Sequence, residues 1–165
     1  ILADAEQLCT WWNDGAVMAH AGFPNGLGRT VDQIRQQILS PRGQGLHMIL
    51  LQDVPIGEMN YRNAGDDACE IGIKICDASL QNRGLGKIIL SLFIQTLFNY
   101  GYQKIILDTN LTNTRAQHVY EQLGFQKLRT NIDSWTDQLG RPQSSVDYEL
   151  TPDSFVSFLV PEEIP

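Results

Sequence analysis

The stretch from residue 70 to residue 109 constrains the fold more than any other. In "EIGIKIC" (70–76), Ile71, Ile73 and Ile75 alternate with Gly72, Lys74 and Cys76. That two-residue period predicts a strand with two unlike faces. "DASLQNRGLGK" follows, polar and carrying Gly84 and Gly86. From Leu85 to Tyr100 the apolar positions 85, 88, 89, 92, 93, 97 and 100 recur mostly three and four apart. This predicts a long amphipathic helix with a wide buried stripe, ended at Gly101. "KIILDT" (104–109) then predicts a second strand. A strand, a helix and a strand in succession imply one parallel crossover.

The flanking segments predict a mixed α/β (α+β) domain. A helix is expected over 4–12, with a break at "NDG". Thr30 and Gln33 fit a capping box that opens a second helix, closed by "SPRGQG". "LHMILLQ" (46–52) and "IGEMNYR" (56–62), joined by "DVP", predict a hairpin. A helix over 113–123 is expected to be capped by Asn113 and stopped by Gly124. Strands at 125–130 and 145–150 enclose a polar excursion, "NIDSWTDQLGRPQS". The 165 residues carry no repeat or linker and predict one domain.

The glycine loop sits where a strand meets a helix N-terminus. The first N–H groups of a helix have no internal partner, and its dipole favours an anion there. Arg83 and Lys87 flank the loop and add positive charge. A strand–helix turn shaped by geometry alone is the plain alternative. Two phosphate motifs are excluded. A dinucleotide fingerprint needs a third glycine where Ile89 stands, and a P-loop needs Ser or Thr where Ile88 stands.

Gln81-Asn82-Arg83-Gly84-Leu85-Gly86 matches Q/R-x-x-G-x-G/A, and Asn113, Ala116, Tyr120, Glu121, Gly124 and Phe125 match N-x-x-A-x-x-x-Y-E-x-x-G-F. Together, at this separation, they resemble the GCN5-related N-acetyltransferase (GNAT) superfamily. The opening "DAEQLCTWWNDGAVMAH" and the closing "W-x-D-x-L-G…DYEL" are most like its ribosomal-protein N-terminal acetyltransferase branch. The resemblance implies a GNAT fold: a mostly antiparallel mixed sheet of about six to seven strands, about four helices, and splayed parallel strands at the cofactor site. It covers about residues 3 to 150, leaving 151–165 as a C-terminal tail. It also implies a first strand just before "xxDAE"; of this strand Ile1 and Leu2 remain, so it is expected to be clipped or absent.

The resemblance further implies acetyl-CoA as co-substrate, no metal, and direct acetyl transfer to a primary amine. Backbone N–H groups of Gln81, Asn82, Arg83, Gly84, Leu85, Gly86 and Lys87 are expected to hold the pyrophosphate. Those near Lys74, Ile75 and Cys76 would bond the pantetheine arm and polarise the thioester carbonyl. Asn113 would add a side-chain bond to that arm, beside its capping role. Tyr120, two helical turns further on, would protonate the departing thiolate, unless it is a core tyrosine. Glu70 is the expected base, with Glu58 on the neighbouring strand or an ordered-water relay as rivals. The loops 20–28 and 131–140 are expected to meet the acceptor, with Asp133, Asp137 and Glu149 as sources of negative charge. Trp11 and Trp12 are read as packing the first helix or lining the acceptor cleft.

Composition narrows the partners. A formal charge of −7 and a pI of about 4.8 argue against nucleic acid and anionic membranes. Cys9, Cys69 and Cys76 have no disulfide or zinc spacing, which fits reduced thiols in a cytoplasmic protein. The acceptor stays open between a protein N-terminus and a small amine such as a polyamine, amino acid or aminoglycoside. A catalytically silent acyl-CoA-binding module and a nucleotide-binding protein of another fold are the rivals of a different kind. An edge strand at 145–150 would give a homodimer a surface to pair through.

Overall fold

The alternation in residues 70–76 becomes a division between two layers. A computed structural model describes residues 2–41 and 45–159. Strand β3 (Ala68–Ile75) sends Cys69 and Ile71 into a core with Leu90, Phe93, Ile94 and Leu97 of helix α4 (Leu85–Asn99). Helix α5 (Thr114–Gln122) joins that core through Tyr120. On the opposite face, Cys76 packs with Leu8 and Trp12 of α1 (Ala5–Asn13), Met18 of α2 (Gly15–Met18), and Ile34 and Ile38 of α3 (Val31–Leu39). Helices therefore cover β3 on both of its faces.

Among the described residues, six strands form the sheet, in the order β1-β2-β3-β4-β6-β5. The others are β1 (Leu46–Leu51), β2 (Val54–Gly65), β4 (Lys104–Asn110), β5 (Gln126–Thr136) and β6 (Pro142–Leu150). Only β3 and β4 run parallel, because α4 carries the chain back before β4 starts. Every other neighbour is antiparallel.

Local signals decide the helix ends. Thr30 and Gln33 form both halves of the capping box on α3. Asn113 caps α5 by accepting from the Ala116 N–H at 3.3 Å. The "NDG" break opens a short helix, with the Asp14 side chain accepting from the Ala16 N–H at 2.7 Å. At Gly124, φ is +93° and a Cβ would stand 1.8 Å from the Ser154 carbonyl oxygen, so only glycine fits.

Two expectations are corrected. The polar excursion after residue 130 is mostly strand: β5 reaches Thr136 and β6 starts at Pro142. Nearly all β5 side chains are exposed, so no apolar period marks it; main-chain pairing with β6 holds it instead. The edge strand expected at 145–150 is interior, between β4 and β5, with Val146, Tyr148 and Leu150 fully buried. The edge strands are β1 and β5, and the pairing surface expected for a homodimer is absent at 145–150. The segment closing α3 and the end of the tail fall partly outside the described residues. No described helix is long and apolar enough to cross a membrane.

Burial also makes the fold alkali-sensitive. It pushes the Cys69 thiol up to about 11 and the Cys76 thiol, beside Glu58, up to about 12, from 9.0. It pushes the Tyr148 phenol, bonded to Glu121, up to about 12. Groups raised in the folded state contribute stability that is intact below the unfolded pKa and lost as pH rises through the folded value. The urea midpoint is therefore expected to fall between pH 8 and pH 10.5, and a constant midpoint contradicts this.

Candidate active site

Strands β3 and β4 pair only at Ala68–Lys104, Cys69–Ile105 and Glu70–Ile106. Past that point they part, although β3 continues to Ile75 and β4 to Asn110. A cavity of about 860 Å³ opens there, lined by residues 71–75 on one side and 108–110 on the other. Backbone direction follows from two bonds. The Cys76 N–H donates to the Ile56 carbonyl at 2.8 Å, on the β2 side. The Ile75 carbonyl accepts from Gln81 Nε2 at 2.9 Å. Because successive N–H groups of a strand point to opposite sides, the Ile75 N–H turns toward the cavity. Cys76 is thus corrected as a donor to the pantetheine arm: its N–H is taken, and the residue does not line the cavity.

The glycine loop closes one end. Gly84 caps α4 at φ +77°, and Asn82 also has positive φ, +60°. This turn aims the first N–H groups of α4 out of the helix, the arrangement that suits a phosphate. Gln81, Asn82, Gly84, Leu85, Gly86 and Lys87 line the cavity. Arg83 is exposed beside Asp77 and is not in the lining. Arg115 is a lining residue that sequence reasoning missed. Its guanidinium donates to Asn82 Oδ1 at 3.2 Å and Gln81 Oε1 at 3.1 Å, tying α5 to the loop. The available signal was a cation in the first turn of a helix whose cap, Asn113, was already singled out.

Tyr120 and Asn113 both line the cavity from α5. Tyr120 is 8% exposed, and burial, then Asp108, pushes its phenol up to about 12. It therefore keeps its proton across the physiological range. Asp108, also missed by sequence reasoning, lines this cavity and a second of about 460 Å³ beside it. Desolvation, then Glu70 and Asp147, raises its carboxyl above the usual range. Glu70 lines only the second cavity, with Arg62 Nη2 at 2.6 Å from its Oε1. Glu58 is buried and accepts from Lys74 Nζ at 2.9 Å and Trp12 Nε1 at 3.2 Å.

The loops expected to meet the acceptor do meet each other. The Gln138 N–H donates to the Gly22 carbonyl at 2.8 Å, and its side chain bonds Asn25 and Gly26. His20, Val17 and Trp135 line the cavity below this contact. Asp133, Asp137 and Glu149 do not line it. Asp137 is buried and held by Arg141 at 2.8 Å, and Glu149 pairs with Lys104 at 3.0 Å. Trp11 and Trp12 pack α1. Among the described residues, no group of three or more His, Cys, Asp or Glu is placed to hold a metal ion.

A six-stranded mixed sheet whose parallel pair parts over a glycine-capped helix defines an architecture shared with known acetyltransferases. Residues 1–126 match the acetyltransferase (GNAT) domain, and the chain belongs to that family. Its fold is similar to a ribosomal-protein-alanine N-acetyltransferase from Brucella melitensis, at 16% identity and TM-score 0.76, covering 92% of this chain and 96% of that one. It is similar to a spermidine N-acetyltransferase from Vibrio cholerae, in complex with CoA and spermine, at 18% identity and TM-score 0.79, covering 92% of each. An aminoglycoside acetyltransferase in complex with coenzyme A gives 23% identity and TM-score 0.73, covering 93% of this chain and 92% of that one. An uncharacterized protein of Methanocaldococcus jannaschii is 32% identical over 74 residues, 45% of this chain but only 15% of that protein's length.

The Glu58–Lys74 pair gives a test of the site's packing. Removing one partner of a buried pair strands the other charge. Lys74→Met is expected to cost about 2 kcal/mol in denaturant unfolding, a figure discounted because Lys74 is only half-buried. Lys74→Met with Glu58→Gln should recover most of that loss, and an equally unstable double variant contradicts the pairing.

Proposed function

We propose that the chain is an acetyl-CoA-dependent N-acetyltransferase acting on a primary amine, with a protein N-terminus as acceptor. One observation carries the reading: the parted strands, the glycine-capped helix and a protonated tyrosine all face a single cavity. The backbone N–H groups of residues 81 to 87 would hold the pyrophosphate, with Lys87 adding charge. The pantetheine arm would run along β3 between the parted strands, within reach of Asn113. The Ile75 N–H is the proposed dipole at the thioester carbonyl; the Lys74 N–H, also expected there from sequence, turns to the β2 side as that of Cys76 does.

The reaction balances with the groups present. The neutral amine nitrogen attacks the thioester carbon, and a tetrahedral oxyanion forms. The C–S bond then breaks, and Tyr120 gives its proton to the leaving thiolate. The ammonium proton leaves toward Asp108, whose raised pKa brings it nearer the pH at which a base works well. Glu70, the base expected from sequence, stands behind Asp108 and raises it. It would act through that carboxylate and water, since Arg62 already occupies its oxygens.

Charge narrows the acceptor. Among the described residues that line the cavity, Asp108 is the one carboxylate, while Lys74, Lys87 and Arg115 are cations. A polycation such as spermidine or an aminoglycoside needs several carboxylates to replace its hydration. An acceptor with one ammonium and apolar neighbours fits Asp108, Val17 and Trp135 better. An N-terminal amine meets that description, as do small monoamines.

An acceptor screen with acetyl-CoA and detection of released thiol tests this. Peptides with a free N-terminus should release CoA, ahead of spermidine and kanamycin. Tyr120→Phe should lower kcat about 100-fold while CoA binding and Tm hold. Preferred turnover of spermidine would overturn the acceptor class. A chain that binds CoA but yields no thiol with any amine would be a binding module instead.

A further inference from the structure

The C-terminal segment past β6 lies against the helix that opens the donor site. The Val156 N–H donates to the Leu123 carbonyl at 2.9 Å, at the end of α5. The Phe158 N–H donates to Ser91 Oγ at 2.9 Å. Ser91 is fully buried within α4, and its hydroxyl donates to the Lys87 carbonyl at 2.7 Å. A chain of two hydrogen bonds therefore ties the tail to the first turn of α4. Ser91 is a poor helix residue with no apolar area to bury; bridging the tail accounts for its place there.

The same segment meets the Lys87 side chain. Its Nζ stands 4.4 Å from the centre of the Phe158 ring. The chain leading to it folds back toward the helix N-terminus, with Cε 3.9 Å from where a Cβ on Gly84 would stand. Lys87 thus sits over the glycine cap, with the ring's negative face beneath its charge. A free lysine samples many rotamers and loses that freedom when it grips a phosphate. A lysine already held over the cap loses less.

We propose that Phe158 is a positioning residue for Lys87, so that the C-terminal segment sets the donor site's affinity for the phosphates of acetyl-CoA. The inference rests on the donor site proposed above. It assigns a function to residues that belong to neither sequence motif. The aromatic face does the positioning, so volume alone cannot replace it. The effect passes through one cation, so it vanishes when that cation is removed.

Calorimetric titration with CoA at fixed ionic strength tests each part. Phe158→Leu, which keeps volume and apolar packing, should weaken CoA binding about three- to fivefold. Phe158→Tyr should bind as the unmodified chain does. Lys87→Met should weaken binding further, and Phe158→Leu added to Lys87→Met should change nothing more. A Phe158→Leu variant that binds CoA normally overturns the proposal. So does a double variant in which the two losses add, because that outcome makes Phe158 a packing residue only. If the unmodified chain does not bind CoA, the donor-site reading falls and this inference falls with it. Normal CoA binding with no effect of Phe158→Leu leaves the donor-site reading standing and removes this inference alone.

Discussion

The parting of β3 and β4 after Glu70 and Ile106 is the feature on which the rest depends. Parallel neighbours normally continue their ladder, because an unpaired buried backbone group costs about 1–3 kcal/mol. Here the ladder stops while both strands go on. The freed edge of β3 faces a cavity instead of a strand. An extended, amide-rich arm is chemically suited to that edge, as an added strand would be. The packing on each face makes the gap possible. One core lies under α4 and α5, the other under α1 and α3, and each holds its own part of the sheet.

Charge is distributed to match the two ends of the cavity. The loop end carries Lys87 and Arg115 with a helix N-terminus, and no carboxylate among the described lining residues. The middle carries Tyr120, kept protonated by burial, with Asp108 beside it. Carboxylates that could have crowded the site are engaged elsewhere: Glu58 with Lys74, Glu70 with Arg62, Asp147 with Arg129. The overall charge of −7 therefore says little about the site, which is cationic where a phosphate would lie.

Much of this was legible in the sequence, for a physical reason. The period-two run at 70–76, the long apolar stripe of α4 and the caps at Thr30 and Asn113 are local signals, and local signals fixed those elements. The loop residues 81–87 were legible because glycine spacing reports backbone geometry directly. The first half of β5 was read as a strand, but its continuation over 131–136 was not, since those side chains are mostly exposed and main-chain pairing with β6 holds them. Arg115 and Asp108 were also missed. Each matters through neighbours far along the chain, Asn82 for one and Glu70 with Tyr120 for the other. The availability of the Cys76 N–H could not be read either, because it depends on the register of β2 against β3.

The central claim is that the parted edge of β3 and the cap of α4 together form the seat of acetyl-CoA. Backbone amide hydrogen exchange with and without CoA tests it residue by residue. The account predicts that added CoA slows exchange at Ile75 and across 82–87, and leaves the outer strand β1 unchanged. Protection that appears on β1 or β2 and spares Ile75 and the 82–87 loop would contradict it.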